Sequence, residues 1–228
     1  MEKNKGLRNM AEVARQRSNI YGLLAMIYRE EVTADLLRQL KDAQFKGAFS
    51  ELGVHLEDKF LDLPDKKLVE DLAVEYARLF LGPGKHISPH ESVHLREEQG
   101  GGSLWGEPTA RVKGFIESSG VEYKSDYRGI PDHIAVELEF MQEVTEREAR
   151  AWEDKDCDGA LHCLTIEKRF IEEHLGRWVL IFCDKLIKDA ELSFYREMAK
   201  LTKSFIESEE AYYCAQYTTL PISAEAID

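Results

Sequence analysis

Three side chains that can exchange protons or hold a cation lie close together in the middle of the chain: Asp132, His133 and Glu137. Pro131 and Asp132 favour the first turn of a helix, with Asp132 as the expected N-cap, and the apolar residues that follow recur at helical spacing. Carboxylates bind arginine guanidinium groups through two hydrogen bonds, and carboxylates beside an imidazole can also act as acid and base. The spacing therefore predicts a cation-binding site or an acid–base site at the start of a helix, which we call the signature helix.

Glu137 is unusual because it falls within the apolar face of the signature helix. At about 100° per residue, the side chains that flank it on this face are Val136, His133, Phe140 and Val144 on one side, and Met141, Ile134 and Leu138 on the other. The opposite face carries Asp132, Glu139, Gln142 and Glu143. A carboxylate among apolar groups is costly unless it is paired, hydrogen-bonded or protonated. His133 is the nearest partner in sequence. Two interpretations stay open: a polar network within the helical core, or a carboxylate that faces a groove.

Three histidines at intervals of four residues precede the signature helix: His86, His90 and His94. On a helix this spacing would present two or three imidazoles to zinc, but Pro89 would break a helix at this point. A metal site that also included Glu91, His133 and Glu137 requires the histidine segment to fold over the signature helix. This gives an alternative hypothesis, a metal-dependent enzyme that uses the histidine segment with Glu137.

Other catalytic and cofactor-binding patterns are missing from the sequence. The segment Gly82-Pro83-Gly84-Lys85 lacks the earlier glycine and the following serine or threonine of a phosphate-binding loop. Ser92 lacks the flanking glycines of a nucleophile elbow. The four cysteines form no Cys-x-x-Cys pair, which favours reduced thiols over a zinc or redox site. We therefore expect no cofactor.

The clearest helix outside this region covers residues 65–81. Its apolar face consists of Leu68, Val69, Leu72, Ala73, Tyr76, Leu79 and Phe80. The Gly-Pro-Gly sequence that follows ends the helix abruptly. Tyr76, Leu79 and Phe80 complete an ordinary amphipathic face, so the pattern is compatible with core packing and also with an apolar binding surface.

Helical periodicity continues over most of the remaining chain, and neither a convincing strand nor an internal repeat interrupts it. The further helices that we expect cover about residues 9–28, 34–42, 45–52, 107–118, 131–154, 160–174, 176–188 and 190–215. A long loop over about residues 85–106 contains three consecutive glycines, which predicts high mobility. The sequence therefore predicts an all-α multi-helix bundle in a single domain over residues 1–228, with a loose tail at 218–228.

The composition is typical of a soluble globular protein, with 43% hydrophobic and 32% charged residues. The net charge of −13 disfavours nucleic acid and anionic membranes as partners, because both attract basic surfaces, and it suits a cationic partner. Charged residues interrupt the first twenty positions, so we expect neither a signal peptide nor a membrane-spanning segment. We therefore expect a cytoplasmic protein without stable membrane insertion.

Four stretches of the sequence carry recognisable motifs: Tyr76–Pro83, Pro89–Val93, Pro131–Met141 and Phe170–Trp178. Together, and in this order, they resemble the TorD/DmsD/NarJ family of molybdoenzyme maturation chaperones. The second stretch departs from the family pattern, since His90 and His94 stand where a tyrosine is more usual. The resemblance covers residues from about 76 to 178, and it leaves the first third and the tail supported by position and pattern only.

This resemblance implies a compact helical bundle that acts as a cytoplasmic chaperone and not as an enzyme. It implies binding of the twin-arginine signal peptide, the apo catalytic subunit, or both, of a molybdenum or tungsten oxidoreductase, before cofactor insertion and export. The family's peptide-binding residues carry over to Tyr76, Leu79, Phe80, Asp132 and His133, and we add Glu91, Pro131 and Glu137 to this candidate site. The family also implies a joint between subdomains near residues 120–131. We expect a monomer or a homodimer.

Overall fold

The computed structural model describes residues 2–42, 47, 49–50, 52–56, 62–82, 85–95, 102–122 and 129–219. The helices of this part of the chain are α1 (Glu2–Arg29), α2 (Ala34–Leu40), α3 (Asp65–Tyr76), α4 (Glu91–His94), α5 (Glu107–Ser118), α6 (Ile134–Asp154), α7 (Cys157–Phe170), α8 (Gly176–Asp189) and α9 (Ser193–Thr219). No β-strand occurs within these described ranges. The predicted all-α fold is confirmed.

Helix α1 and the signature helix, α6, form the most extensive packing pair of the fold. Ser18 on α1 donates a hydrogen bond from its hydroxyl to the backbone oxygen of Gln142 on α6, at 3.1 Å. Gly22 lies one turn further along α1, and a Cβ atom there would come within 2.5 Å of the Gln142 side chain. The glycine therefore leaves room for the Gln142 side chain where the two helices pack together. Helix α6 also packs against α7, and α8 packs against α9.

A buried arginine connects α1 to three other helices. Arg17 is 6% exposed and donates to Glu148 on α6 at 2.9 Å, to Glu167 on α7 at 2.7 Å and to Glu209 on α9 at 2.8 Å. Buried charges of this kind are tolerated only when they are paired and hydrogen-bonded. One guanidinium group thus fixes the relative positions of four helices.

Two π-helical turns lie close to the predicted site. Ala77–Leu81 continues α3 without interruption, and Ile171–Leu175 lies between α7 and α8. The helix predicted to end at residue 81 therefore has the expected extent, but its last turn is π-helical. π-Helical turns are rare in proteins, and those that occur are often found at functional sites.

Several boundaries differ from the predictions. Helix α1 begins earlier than expected, near the start of the chain. Helix α6 begins at Ile134, because His133 and not Asp132 is its N-cap residue. The predicted loop over residues 85–106 contains the short helix α4. Helix α9 continues through Thr219, beyond the expected start of the tail.

Some predicted features lie partly outside the described residues. They are the part of the long loop at 96–101, the centre of the subdomain joint at 123–128, most of the short helix near 45–52, and the tail at 220–228. The mobility of the loop, the existence of the joint and the loose tail therefore stay predictions.

Two expectations from the composition concern membrane insertion and cysteine chemistry. In the described ranges, every helix is too short or too polar to cross a bilayer. In the described residues the four cysteines are thiols and not disulfides.

Candidate functional site

The histidine segment is joined to the start of the signature helix by backbone hydrogen bonds. The backbone nitrogen of Glu91 donates to the oxygen of Asp132 at 3.0 Å, and that of Ile134 donates to the oxygen of Pro89 at 2.8 Å. His90 and His133 form an antiparallel β-bridge between these two bonds. Two motifs that are forty residues apart in sequence thus form one local structure.

Asp132 holds the start of α4 and does not cap its own helix. Its side chain is 0% exposed, and Oδ2 accepts a hydrogen bond from the backbone nitrogen of Ser92 at 2.8 Å. The N-cap of α6 is instead His133, whose Nδ1 accepts from the backbone nitrogen of Ala135 at 3.1 Å. The predicted N-cap role of Asp132 is wrong, because a partner distant in sequence takes its carboxylate. Asp132 therefore does not lie on the polar face of α6 either.

Glu137 and Glu91 are buried on either side of this junction. Glu137 is 0% exposed and its Oε2 accepts from the indole nitrogen of Trp178 at 3.1 Å, which agrees with the first of the two interpretations, a polar network within the core. The partner predicted from sequence, His133, is wrong, since its imidazole caps the helix. Glu91 Oε2 pairs with Nδ1 of His174 at 3.0 Å. His174 and Trp178 belong to the fourth motif, but they are not among the site residues predicted from sequence.

Glu91, Asp132 and Glu137 form what we call the carboxylate cluster. Each has one oxygen without a hydrogen-bond partner in the described part of the chain, namely Glu91 Oε1, Asp132 Oδ1 and Glu137 Oε1. The hydroxyl of Ser92 also has no hydrogen-bond partner among the described residues. Burial, and then the negative charge of Glu91, raise the pKa of Glu137 well above its ordinary value. The cluster therefore has unused capacity for protons or for a cation.

Tyr76, Leu79 and Phe80 lie in the core. They are 4%, 2% and 5% exposed, and the hydroxyl of Tyr76 donates to the backbone oxygen of Tyr28 at 3.1 Å. Burial raises the pKa of Tyr76 to about 12. Among their neighbours on the same helix, Leu81 presents an apolar side chain to solvent, at 65% exposure.

A continuous set of rings connects these residues to the carboxylate cluster, and we call it the aromatic wall: Tyr76, Phe80, Phe182, Trp178 and His94. The centroid distances along it are 4.8 Å for Tyr76–Phe80, 6.2 Å for Phe80–Phe182 and 5.6 Å for Phe182–Trp178. The ring of His94 stacks on Trp178 at 5.4 Å. Phe182 was missed by the sequence analysis, since it lies beyond the fourth motif. The structure thus brings the two halves of the predicted site together through α8.

The histidines of the alternative metal site do not converge on Glu137. His86 is exposed, whereas Nε2 of His94 bonds to the backbone oxygen of Ser88 at 2.6 Å. His90 makes a T-shaped ring contact with His133 at 4.9 Å. The described residues contain no group of three or more histidine, cysteine, aspartate or glutamate side chains that could hold a metal ion.

Known proteins resemble this chain in sequence and in fold. A family model described as "Nitrate reductase delta subunit" matches residues 39–184, which is more than half of the chain. Chaperone protein TorD from Vibrio vulnificus is 25% identical over 211 residues, covering 86% of this chain and 94% of the relative. Chaperone protein TorD from Shewanella piezotolerans is 24% identical over 222 residues, covering 91% and 96%. The crystal structure of a redox enzyme maturation protein from Archaeoglobus fulgidus matches with a TM-score of 0.52 and 21% identity, covering 84% of this chain and 93% of that one.

These findings decide between the two functional classes left open by the sequence. The matched relatives are named as chaperones and not as catalysts, so the metal-dependent enzyme is not supported, whereas the chaperone is. The structural match, at its low identity, shows the same all-helical fold. The chain belongs to the nitrate reductase delta subunit family, which is the family of the TorD and NarJ maturation chaperones.

Proposed function

We propose that this chain is a cytoplasmic chaperone for the catalytic subunit of a molybdenum or tungsten oxidoreductase, and that it binds the twin-arginine signal peptide of that subunit. In this role it holds the apo subunit until the cofactor is inserted and export can begin. Family membership supports maturation of a molybdoenzyme as the general role. The single observation that supports the choice of ligand is the carboxylate cluster, a buried site of negative charge at the start of α6.

Two half-buried imidazoles adjoin the buried carboxylate cluster, and they provide a surface for arginine. His90 precedes Glu91 and His133 follows Asp132, and both histidines are half-buried whereas the two carboxylates are fully buried. Burial lowers the pKa of His90, and it lowers that of His133 to about 3. At neutral pH the rings are therefore uncharged and do not repel a cation. Arginine stacks on flat ring faces, and negative charge behind those rings attracts it.

Exposed apolar side chains occur on the helix whose end is hydrogen-bonded to the segment just before the imidazole pair. Leu81 and Val74 are 65% and 70% exposed and lie seven positions apart on α3 and its π-helical continuation. The backbone nitrogen of Ile87 donates to the oxygen of Leu79 at 2.7 Å. His90 is three residues further along the chain, so its Cα atom lies within about 11 Å of the Cα atom of Ile87. A peptide with an apolar stretch after two arginines matches this order of surfaces. Inside the protein, the aromatic wall connects the helix that carries Leu81 to the histidine segment.

Titration calorimetry with a twin-arginine peptide tests the proposal. We expect Leu81→Ala and Asp132→Asn each to weaken binding by about tenfold, since an exposed leucine that becomes buried contributes on the order of 1–2 kcal/mol and tenfold corresponds to 1.4 kcal/mol. Leu63→Ala is the matched control, because Leu63 is exposed just before the same helix and about 25 Å from Leu81 along its axis.

The peptide provides a second control. Replacing both of its arginines with glutamine should weaken binding to the wild-type protein and to Leu81→Ala, but it should have little further effect on Asp132→Asn. If the wild-type protein binds the peptide and neither substitution in the protein changes the affinity, the peptide binds elsewhere. If folded wild-type protein does not bind a twin-arginine peptide at all, the proposed ligand is wrong.

A further inference from the structure

The carboxylate cluster has more negative charge than its surroundings neutralise. Glu91, Asp132 and Glu137 are each 0% exposed. Their hydrogen-bond donors are an imidazole, a backbone amide and an indole. Within the described residues, no lysine or arginine forms an ion pair with any of the three. Carboxylates that share a buried site cannot all ionise, so at least one retains its proton.

Two of the four imidazoles that face the cluster have no proton to release near neutral pH. The titratable groups around it are His90, His94, His133 and His174, and the nearest charged groups on other helices are Arg29 on α1, which pairs with Glu139, and Lys185 on α8, which donates to His94. Burial lowers the pKa of His133 to about 3 and that of His94 to about 4. Those two imidazoles are neutral throughout the range from pH 6 to 9 and release no proton there. Burial and the negative charges of Glu91 and Asp132 all raise the pKa of Glu137, so that this carboxyl group retains a proton.

We infer that the carboxylate cluster stores one proton and releases it to solvent when the arginines of a signal peptide dock over His90 and His133. This inference rests on the proposed function, and it assigns a means of regulation to the same site. A guanidinium cation close to the cluster favours the ionised carboxylate over the protonated one. The O–H bond of the carboxylic acid breaks, the electron pair stays on the carboxylate, and the proton passes to buffer. Peptide binding and proton release are then linked, so each one favours the other.

Calorimetry in several buffers counts the released protons. The peptide is acetylated at its N-terminus and contains no histidine, so that it has no group that titrates near neutral pH. At one pH, the observed binding enthalpy is plotted against the ionisation enthalpy of the buffer, and the slope gives the number of protons. We expect release of up to about one proton per wild-type complex at pH 7. We also expect the dissociation constant to decrease as pH rises, by up to about tenfold per pH unit where one full proton is released.

Two substitutions test the assignment to the cluster. Glu137→Gln removes the most perturbed acid and should reduce the number of released protons by more than half. Glu139→Gln is the matched control, since Glu139 lies on the same helix but its side chain is 44% exposed and paired with Arg29, and it should leave the number unchanged. If circular dichroism shows that Glu137→Gln is unfolded, Asp132→Asn replaces it in the experiment. The number of protons released by the wild-type protein still tests the inference in that case.

The outcomes separate this inference from the proposed function. Tight binding of the peptide without proton release at any pH from 6 to 9 overturns the inference and leaves the proposed function in place. Equal proton release by the wild-type protein and by folded Glu137→Gln and Asp132→Asn places the proton elsewhere and also overturns it. A folded protein that does not bind the peptide removes the proposed function and the inference together.

Discussion

Trp178 donates the hydrogen of its indole nitrogen to Glu137 at 3.1 Å, across 41 positions of the chain. Both side chains are 0% exposed, so the bond joins α8 to the signature helix inside the core. The ring of His94 on α4 stacks on the same indole. A single tryptophan thus connects the carboxylate cluster to the aromatic wall and to the histidine segment.

Glu137→Ala should destabilise the protein considerably more than Glu139→Ala. The first substitution leaves the indole of Trp178 without an acceptor in the core, and we expect a cost of about 1–3 kcal/mol in the free energy of unfolding. The second removes an exposed ion pair with Arg29, and we expect a change within about 0.5 kcal/mol. Urea unfolding followed by circular dichroism measures both. Equal and small changes would contradict the structural role of the bond.

Arg17→Ala should be strongly destabilising, and Arg15→Ala provides a matched control on the same helix. The Arg17 side chain is 7% exposed and pairs with three buried glutamates, which the substitution leaves without their cation, at a cost on the order of 3–5 kcal/mol. The Arg15 side chain is 41% exposed and pairs with glutamates nearer the surface, so its loss should cost less than about 1 kcal/mol. Thermal unfolding of the two variants side by side would reveal an error if their stabilities were similar.

The sequence predicts the features that depend on local periodicity. The helical face of the signature helix follows from the spacing of apolar residues, and this is why the place of Glu137 on the apolar face could be predicted without coordinates, whereas burial in the core and exposure to a groove both stayed open. The amphipathic helix at residues 65–81 follows in the same way. Four short motifs also indicated the correct family.

The partners of buried polar groups could not be predicted, since they are distant in sequence. Glu91 pairs with His174 across 83 positions and Arg17 with Glu209 across 192, and no local spacing relates them. The error at Asp132 has the same cause. A helix-start aspartate ordinarily caps its own helix, but here the backbone nitrogen of Ser92 takes its oxygen, and the imidazole of His133 replaces it as the cap.

The contribution of Glu167 to the stability of the protein should fall as pH rises from about 5 to about 8. Burial raises the pKa of Glu167 to about 8 from an ordinary value of 4.5. The folded state therefore retains a proton over a range in which the unfolded state has released it. This contribution to stability is fully present below pH 4.5 and is lost as pH rises through about 8. One proton corresponds to a slope of about 1.4 kcal/mol per pH unit.

Glu167→Gln should remove this downward contribution, so that the free energy of unfolding falls less, or rises more, with pH than in the wild-type protein. Urea unfolding from pH 5 to pH 9 gives the free energy of unfolding at each pH, and the slope for this variant is compared with that of the wild-type protein. Glu172→Gln is the control, since the side chain of Glu172 is 58% exposed and one helical turn away. Identical slopes for all three proteins would show that Glu167 does not hold the proton.

Salt should weaken the binding of a twin-arginine peptide without abolishing it. The attraction between the arginines and the acidic protein is screened over about 8–10 Å at physiological ionic strength, whereas the contact with Leu81 is apolar and is not screened. Asp132→Asn should therefore weaken binding more at low salt than at high salt, while Leu81→Ala should weaken it by a similar factor at every salt concentration. Calorimetry from about 0.05 to 0.5 M sodium chloride, on variants first shown to be folded, separates the two contributions. Should Asp132→Asn retain the full salt dependence of the wild-type protein, the arginines would have to be attracted by a different acidic surface.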